Sequence, residues 1–175
     1  TYQVSELLYE VIRKPSAREE LINTICKHEG VMHLREEIAS IPSKELVNLL
    51  IEGLPLNRNT LTSFLSNERY ALPPLYNFYF TRDAAISIYD EVLIGKMANR
   101  VRDRETLIME AIFNHSDSFE TNTINPLSYN CSAETSIEGG DVLIARDDIL
   151  LIGNSSRTTN QGIDFIISRL FSQND

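Results

Sequence analysis

The chain has 175 residues, enough for one ordinary domain, and its content of 42% hydrophobic and 23% charged residues is typical of a globular protein. Its net charge of −9, from 16 basic and 25 acidic residues, argues against a nucleic-acid surface, which requires clustered Lys and Arg. No apolar run approaches the ~20 residues of a membrane span, so no membrane partner is expected. Cys26 and Cys131 lie far apart in unlike contexts, which favours reduced thiols and a cytoplasmic location.

Residues 1–66 are predicted to form a helical-bundle subdomain. Apolar side chains recur at spacings of three and four from Val4 to Ile12 and in the segments that follow. Ser16 and Glu19 have the spacing of a capping box for the second helix, and Gly30 is placed to end that helix. Several helices with such short connections indicate a small bundle.

The composition changes near Asn67, and residues 67–175 are predicted to form strands and helices. Asn77 to Phe80 is an apolar and aromatic run that predicts a buried strand. This run leads directly into Thr81-Arg82-Asp83, so the carboxylate of Asp83 would lie at the end of the predicted strand. A carboxylate in such a place needs a cation or hydrogen-bond donors beside it, because its desolvation is costly.

Two strand–turn–strand–helix units follow and repeat without a gap, since Asp141 lies 58 residues after Asp83. In the same register, Asp90 corresponds to Asp148, and Leu93-Ile94-Gly95 corresponds to Leu151-Ile152-Gly153. The predicted fold class is α+β, a partial α/β-propeller of about two such blades with the N-terminal bundle. Two units would make an open arc, so we expect a longer protein that continues after Asp175. The alternative is a complete α+β domain with a coincidental repeat.

Asp83 and Glu138 lie at or just before equivalent strand starts and could face one pocket. Two neighbouring buried carboxylates repel each other unless a cation lies between them, and a guanidinium suits this place because its N–H donors pair with both. Gly139-Gly140 would let a ligand approach the backbone. The alternative is that these acids cap turns or pair with Arg82 and other nearby arginines.

Arg102 and Arg157 each follow the second strand of a unit and could reach the same end of the sheet. Two arginines beside two acids suggest a zwitterionic ligand, with the acids at its cationic end and the arginines at its carboxylate. Salt bridging at the surface is the alternative interpretation.

Four segments resemble motifs of bacterial arginine deiminases, in the same order and with the same spacing. Asn77–Asp83 resembles the family's Asn-x-x-Phe-Thr-Arg-Asp, and Arg102–Thr106 resembles Arg-Arg-x-Glu-Thr. Ile137–Val142 is similar to Leu-Glu-Gly-Gly-Asp-Val, and Ile152–Thr158 is similar to Ile-Gly-x-x-Glu-Arg-Thr/Ser, although Ser stands where the family often has Glu. The resemblance covers about residues 77–171.

The resemblance implies a pentein-type α/β-propeller of five blades with an inserted helical bundle. It implies hydrolysis of L-arginine to L-citrulline and ammonia, with no metal or organic cofactor and with a small molecule as partner. The full-length protein could form a homo-oligomer. A cysteine thiolate would attack the guanidinium carbon, and a histidine would serve as general acid and base.

The resemblance also assigns roles to individual residues. Asp83 and Glu138 would hold the substrate guanidinium, and Glu138 would help to move protons. The residues that would hold the amino-acid end or line the pocket are Asn77, Phe80, Arg102 and Arg157.

In the family, the catalytic histidine and the nucleophilic cysteine lie beyond the segment that resembles this chain. Neither His115 nor Cys131 takes their position in the motif order, so we expect an enzyme fragment that is inactive alone. Two alternatives stay open: a non-catalytic module that binds arginine or another guanidine, and a related deiminase with a different guanidine substrate. Arg102 and Arg157 argue against agmatine, because agmatine lacks the carboxylate that they would hold.

Overall fold

The computed structural model describes residues 1–129 and 131–171, and these form short helices followed by paired strands. The helices are α1 (Val4–Ile12), α2 (Pro15–Glu29), α3 (Arg35–Ser40), α4 (Ser43–Glu52), α5 (Leu61–Leu65), α6 (Thr81–Ala84), α7 (Asp103–His115) and α8 (Asn160–Phe171). No helix among the described residues has both the length and the apolar character needed to cross a bilayer.

Within the described ranges, the strands form three small sheets. They are β1 (Leu54–Pro55), β2 (Tyr70–Leu72), β3 (Ala85–Ile88), β4 (Glu91–Ile94), β5 (Asn122–Ile124), β6 (Val142–Arg146) and β7 (Ile149–Ile152). The pairs β1–β2, β3–β4 and β6–β7 are antiparallel, and β5 pairs in parallel with the outer side of β4. This mixture of helices and strands confirms the α+β prediction, whereas the propeller and the boundary at residue 66 stay predictions.

The predicted helices are present in the first part of the chain, but one cap differs. α2 begins at Pro15 with Lys14 as its N-cap and without a side-chain cap, so the capping box predicted from Ser16 and Glu19 is wrong. Proline is suited to the first helical position, because its missing N–H would have no partner there. Gly30 ends the helix as predicted, with a φ of 73° in the left-handed region.

The segment predicted as a buried strand from Asn77 to Phe80 forms turns instead, so that prediction is wrong. The Phe80 N–H donates to the Asn77 carbonyl at 3.0 Å, and the Asp83 N–H donates to the Phe80 carbonyl at 3.0 Å. Tyr79 is 73% exposed and Phe80 is 50% exposed, while Phe78 alone packs inward at 6%. Hydrogen bonds three residues apart turn the chain too tightly for a strand. Asp83 therefore lies in the short helix α6, immediately before β3.

The strands reproduce the 58-residue repeat. β4 and β7 lie 58 residues apart at both ends, and each pairs back onto the preceding strand. The register of β6 shifts between Ile144 and Arg146, which indicates a bulge at Ala145 that the first hairpin lacks. The segment between α7 and β6 contains β5, a strand that the sequence pattern did not predict, so the first unit has a third strand.

The described residues form two apolar clusters. One contains the buried faces of α1, α2 and α4 together with the buried apolar residues of α7. The other lies between the β3–β4 and β6–β7 hairpins and α8. Because α7 belongs to the first cluster and directly follows the turn that contains Arg102, it fixes that turn beside α6 and the β3–β4 hairpin.

Candidate functional site

Two turns bring the predicted acids together. α6 contains Asp83, and a 3₁₀ turn from Gly139 to Asp141 directly follows Glu138. Arg82 joins the turns, since its Nε donates to the Gly139 carbonyl at 3.1 Å and its Nη2 donates to the Val142 carbonyl at 2.6 Å. A Cβ atom on Gly139 would lie 1.9 Å from the Arg82 carbonyl oxygen, so this close approach requires glycine. The two turns are therefore held in backbone contact.

Backbone and side-chain contacts fix Glu138, which is 3% exposed. Its Oε1 accepts a hydrogen bond from the Ala98 N–H at 3.1 Å, and its own N–H donates to Thr158 Oγ1 at 3.1 Å. Ile137 just before it forms a bridge with Lys96. These contacts leave Oε2 as the oxygen that faces the neighbouring charged residues.

Arg102 lies between three carboxylates. Its Nη1 donates to Asp83 Oδ2 at 3.0 Å and to Glu138 Oε2 at 3.4 Å. Its other edge faces Glu105, with Nε at 3.1 and 3.2 Å from the two carboxylate oxygens and Nη2 at 2.7 Å from Oε2. We call Asp83, Glu105 and Glu138 the acid cluster. All three acids thus converge on one guanidinium.

Burial and pairing shape the ionisation of this group. Burial raises the pKa of Glu105 above its ordinary value, and the nearby Asp83 and Glu138 add to the rise, while Arg102 opposes it. Burial alone would lower the pKa of Arg102, but its hydrogen bonds to Glu105 and Asp83 outweigh that effect and raise it. Arg102 is therefore charged at every pH at which the protein is folded.

Arg157 also contacts the acid cluster. Its Nη1 donates to Glu138 Oε2 at 3.3 Å, and its side chain is 61% exposed. Ser155 shapes this loop, because its hydroxyl accepts from the Arg157 N–H at 2.9 Å and donates to Asp141 Oδ2 at 2.6 Å. Arg157 is thus placed at the open edge of the site.

The structure brings together four of the six predicted site residues: Asp83, Glu138, Arg102 and Arg157. Asn77 and Phe80 are exposed, and the turn described above links them to Asp83 through the backbone. Sequence reasoning missed Glu105. It lies three residues after Arg102 at the start of a helix, a spacing that brings the two side chains together and could have predicted the pair.

The cysteines and histidines lie elsewhere. Cys26 is buried in the helical cluster, and Cys131 packs beside the β-hairpins. His28 Nε2 lies 2.9 Å from Asp103 Oδ2 and lines a cavity of about 390 Å³ that does not include the acid cluster. His115 Nε2 lies 3.5 Å from Glu20 Oε2. Among residues 1–129 and 131–171, no group of His, Cys, Asp and Glu is arranged to hold a metal ion.

The fold and site define an α+β protein with carboxylates arranged around a guanidinium. The family model described as arginine deiminase matches residues 1–175, so the chain belongs to the arginine deiminase family. It is 33% identical to an arginine deiminase of Bacillus cereus over 97% of this chain, and 30% identical to one of Listeria monocytogenes over 97%. The chain spans 44% of the length of each of these relatives.

Among solved structures, part of the chain is similar to a mutant dimethylarginine dimethylaminohydrolase from Pseudomonas aeruginosa in complex with citrulline. The similarity has a TM-score of 0.45 and 22% identity, and it covers 57% of this chain and 37% of that one.

Proposed function

We propose that this chain provides the substrate-holding part of an arginine deiminase site, which hydrolyses L-arginine to L-citrulline and ammonia. Asp83 and Glu138 hold the substrate guanidinium, and Glu138 also assists proton transfer. Arg102, Arg157 and Asn77 hold the amino-acid end of the substrate, and Phe80 lines the pocket.

One observation carries this proposal: Asp83 Oδ2 and Glu138 Oε2 both accept hydrogen bonds from a single guanidinium nitrogen, Arg102 Nη1. The two acids are therefore spaced to bind a guanidinium together. Both are largely buried, with side chains 14% and 3% exposed, so the contact is protected from water.

The reaction requires a nucleophile and a general base in addition to these acids. Family resemblance assigns these roles to a cysteine thiolate, which attacks the guanidinium carbon as ammonia leaves, and to a histidine. Water then displaces the thiolate and releases citrulline. Cys26 and Cys131 lie in other parts of the structure, so we propose that the chain alone does not turn over arginine.

A second candidate is a module that binds arginine without turnover. The acid cluster favours this binding module. The cluster has the carboxylates of a guanidinium site, and among the described residues no cysteine contacts the cluster.

Calorimetry with L-arginine tests the site directly. Asp83→Asn and Glu138→Gln should each weaken binding at least tenfold, whereas Asp147→Asn, at an exposed hairpin turn, should leave it unchanged. Equal affinity for L-arginine in the unaltered chain and in all three variants would overturn the proposal.

Citrulline formation separates the two candidates. The chain alone should form none, and it should become active when combined with the part of the Bacillus cereus relative that it does not match. Submicromolar arginine binding, with no activity in that mixture, would favour the binding module instead.

A further inference from the structure

The guanidinium of Arg102 occupies the place in which the proposed function puts the guanidinium of the substrate. Nη1 contacts both acids at 3.0 and 3.4 Å, and the arginine is only 7% exposed. A ligand guanidinium and Arg102 Nη1 cannot both contact the same faces of Asp83 Oδ2 and Glu138 Oε2. Ligand binding therefore requires Nη1 to move.

Glu105 permits this movement without release of the whole side chain. It binds the Nε and Nη2 edge of Arg102 and is itself 1% exposed near the start of α7. Asp83 and Glu138 contact Nη1, whereas Glu105 binds the opposite edge of the guanidinium. Because the guanidinium is planar and rigid, Nη1 leaves Asp83 and Glu138 only when the whole group turns. A turn about the Cδ–Nε bond moves both Nη atoms but leaves Nε beside Glu105, so Arg102 stays paired with Glu105 through Nε.

The charges favour entry of one more cation. The acid cluster carries three negative charges, and Arg102 and Arg157 supply two positive charges, of which the second lies on a mostly exposed side chain. Neighbouring carboxylates repel each other, so a further guanidinium between Asp83 and Glu138 would neutralise the cluster.

We propose that Arg102 is an internal occupant of the guanidinium site, held by Glu105 and displaced from Asp83 and Glu138 when a ligand binds. This inference rests on the proposed function, because it takes Asp83 and Glu138 as the ligand-binding acids. Glu105 is a positioning residue, since it acts through Arg102. The arrangement makes the ligand compete with an internal guanidinium of the same chemistry.

Methylguanidine is the probe that tests this competition, because it has the guanidinium but no carboxylate for Arg102 to bind. Arg102→Met removes the internal guanidinium and keeps an unbranched apolar stem. Calorimetry on the full chain should show methylguanidine binding at least tenfold tighter to Arg102→Met than to the unaltered chain. Arg146→Met, at an exposed hairpin arginine, should bind as the unaltered chain does.

The outcomes separate the two proposals. If the unaltered chain and Arg102→Met bind methylguanidine equally, the internal occupant is overturned and the proposed function stands. If methylguanidine binds neither protein, both proposals fail. Binding that is tighter in Arg102→Met and is lost when Asp83→Asn is added supports both.

A measurement on the unaltered chain covers the case in which Arg102→Met does not fold. Nitrogen-15 spectra of labelled arginine side chains report the guanidinium of Arg102 directly. Saturation with methylguanidine should shift the Nη signals of Arg102 and keep its Nε–H slow to exchange, because the pair with Glu105 persists. Signals of Arg102 that do not change at saturation would overturn the inference.

Discussion

Arg102 and Glu105 share three hydrogen bonds, in which one edge of the guanidinium donates to one buried carboxylate. Removal of one partner from a buried ion pair costs about 3–5 kcal/mol, because the other charge is left without compensation. Glu105→Ala should lower the free energy of unfolding by about 3 kcal/mol, the lower end of that range, because Asp83 and Glu138 still pair with Arg102. Glu105→Gln should cost less than half as much, since its amide oxygen still accepts. Urea denaturation measures both, with the exposed Glu120→Gln as a control expected within about 0.5 kcal/mol.

The ionisation of Glu105 predicts how stability depends on pH. Because the folded state raises its pKa, the folded chain binds more protons than the unfolded chain as pH rises from the ordinary value of 4.5. This residue's contribution to the free energy of unfolding should fall with rising pH in that window and stay constant above the raised pKa. Comparison with Glu105→Gln, which lacks this contribution, isolates the effect. The prediction is wrong if the free energy of unfolding of the unaltered chain rises relative to that of Glu105→Gln as pH increases through this window.

The contact between the two acid-bearing turns predicts a strong effect of Gly139→Ala. The added Cβ would lie 1.9 Å from the Arg82 carbonyl oxygen, so the turns must separate. We expect a loss of about 3 kcal/mol in the free energy of unfolding, together with weaker arginine binding. Gly30→Ala is the matched control. Its Cβ meets no atom within 4 Å, so only the strain of a φ of 73° remains, at about 1 kcal/mol.

The repeat provides a matched pair of leucines. Leu93 is 2% exposed in β4, whereas Leu151, its equivalent in β7, is 53% exposed. Leu93→Ala should cost about 2–5 kcal/mol, because it leaves a cavity in the core. Leu151→Ala should change stability by less than about 1 kcal/mol, since little apolar area is buried there. Similar losses from both substitutions, measured by urea denaturation, would show that β7 is more buried than the structure indicates.

The sequence predicted the elements whose signals are local. Periodic apolar residues located α1, α2 and α4, and the 58-residue repeat located both hairpins and paired Asp83 with the second unit. It failed at Asn77–Phe80, because an aromatic run predicts burial but cannot show that tight turns expose Tyr79 and Phe80. Strand β5 was missed because it is three residues long and polar at its start.

The site was predictable only in part for a similar reason. The acids were found because each lies beside a strand in a recognisable motif. Which guanidinium lies between them depends on how α7 packs against α6 and the β3–β4 hairpin, and one sequence does not show that packing. Arg102 was expected to meet a ligand carboxylate, and in this structure it contacts carboxylates of the chain itself.

The bridge from Arg82 to the second turn has a consequence for how the two acids act together. The Arg82 side chain ties α6 to the carbonyls of Gly139 and Val142, so it sets the distance between the turns that contain Asp83 and Glu138. Loss of these hydrogen bonds would let the turns separate, and one guanidinium nitrogen could then no longer contact both acids. A side chain that binds backbone carbonyls would thus control whether the two carboxylates work as a pair.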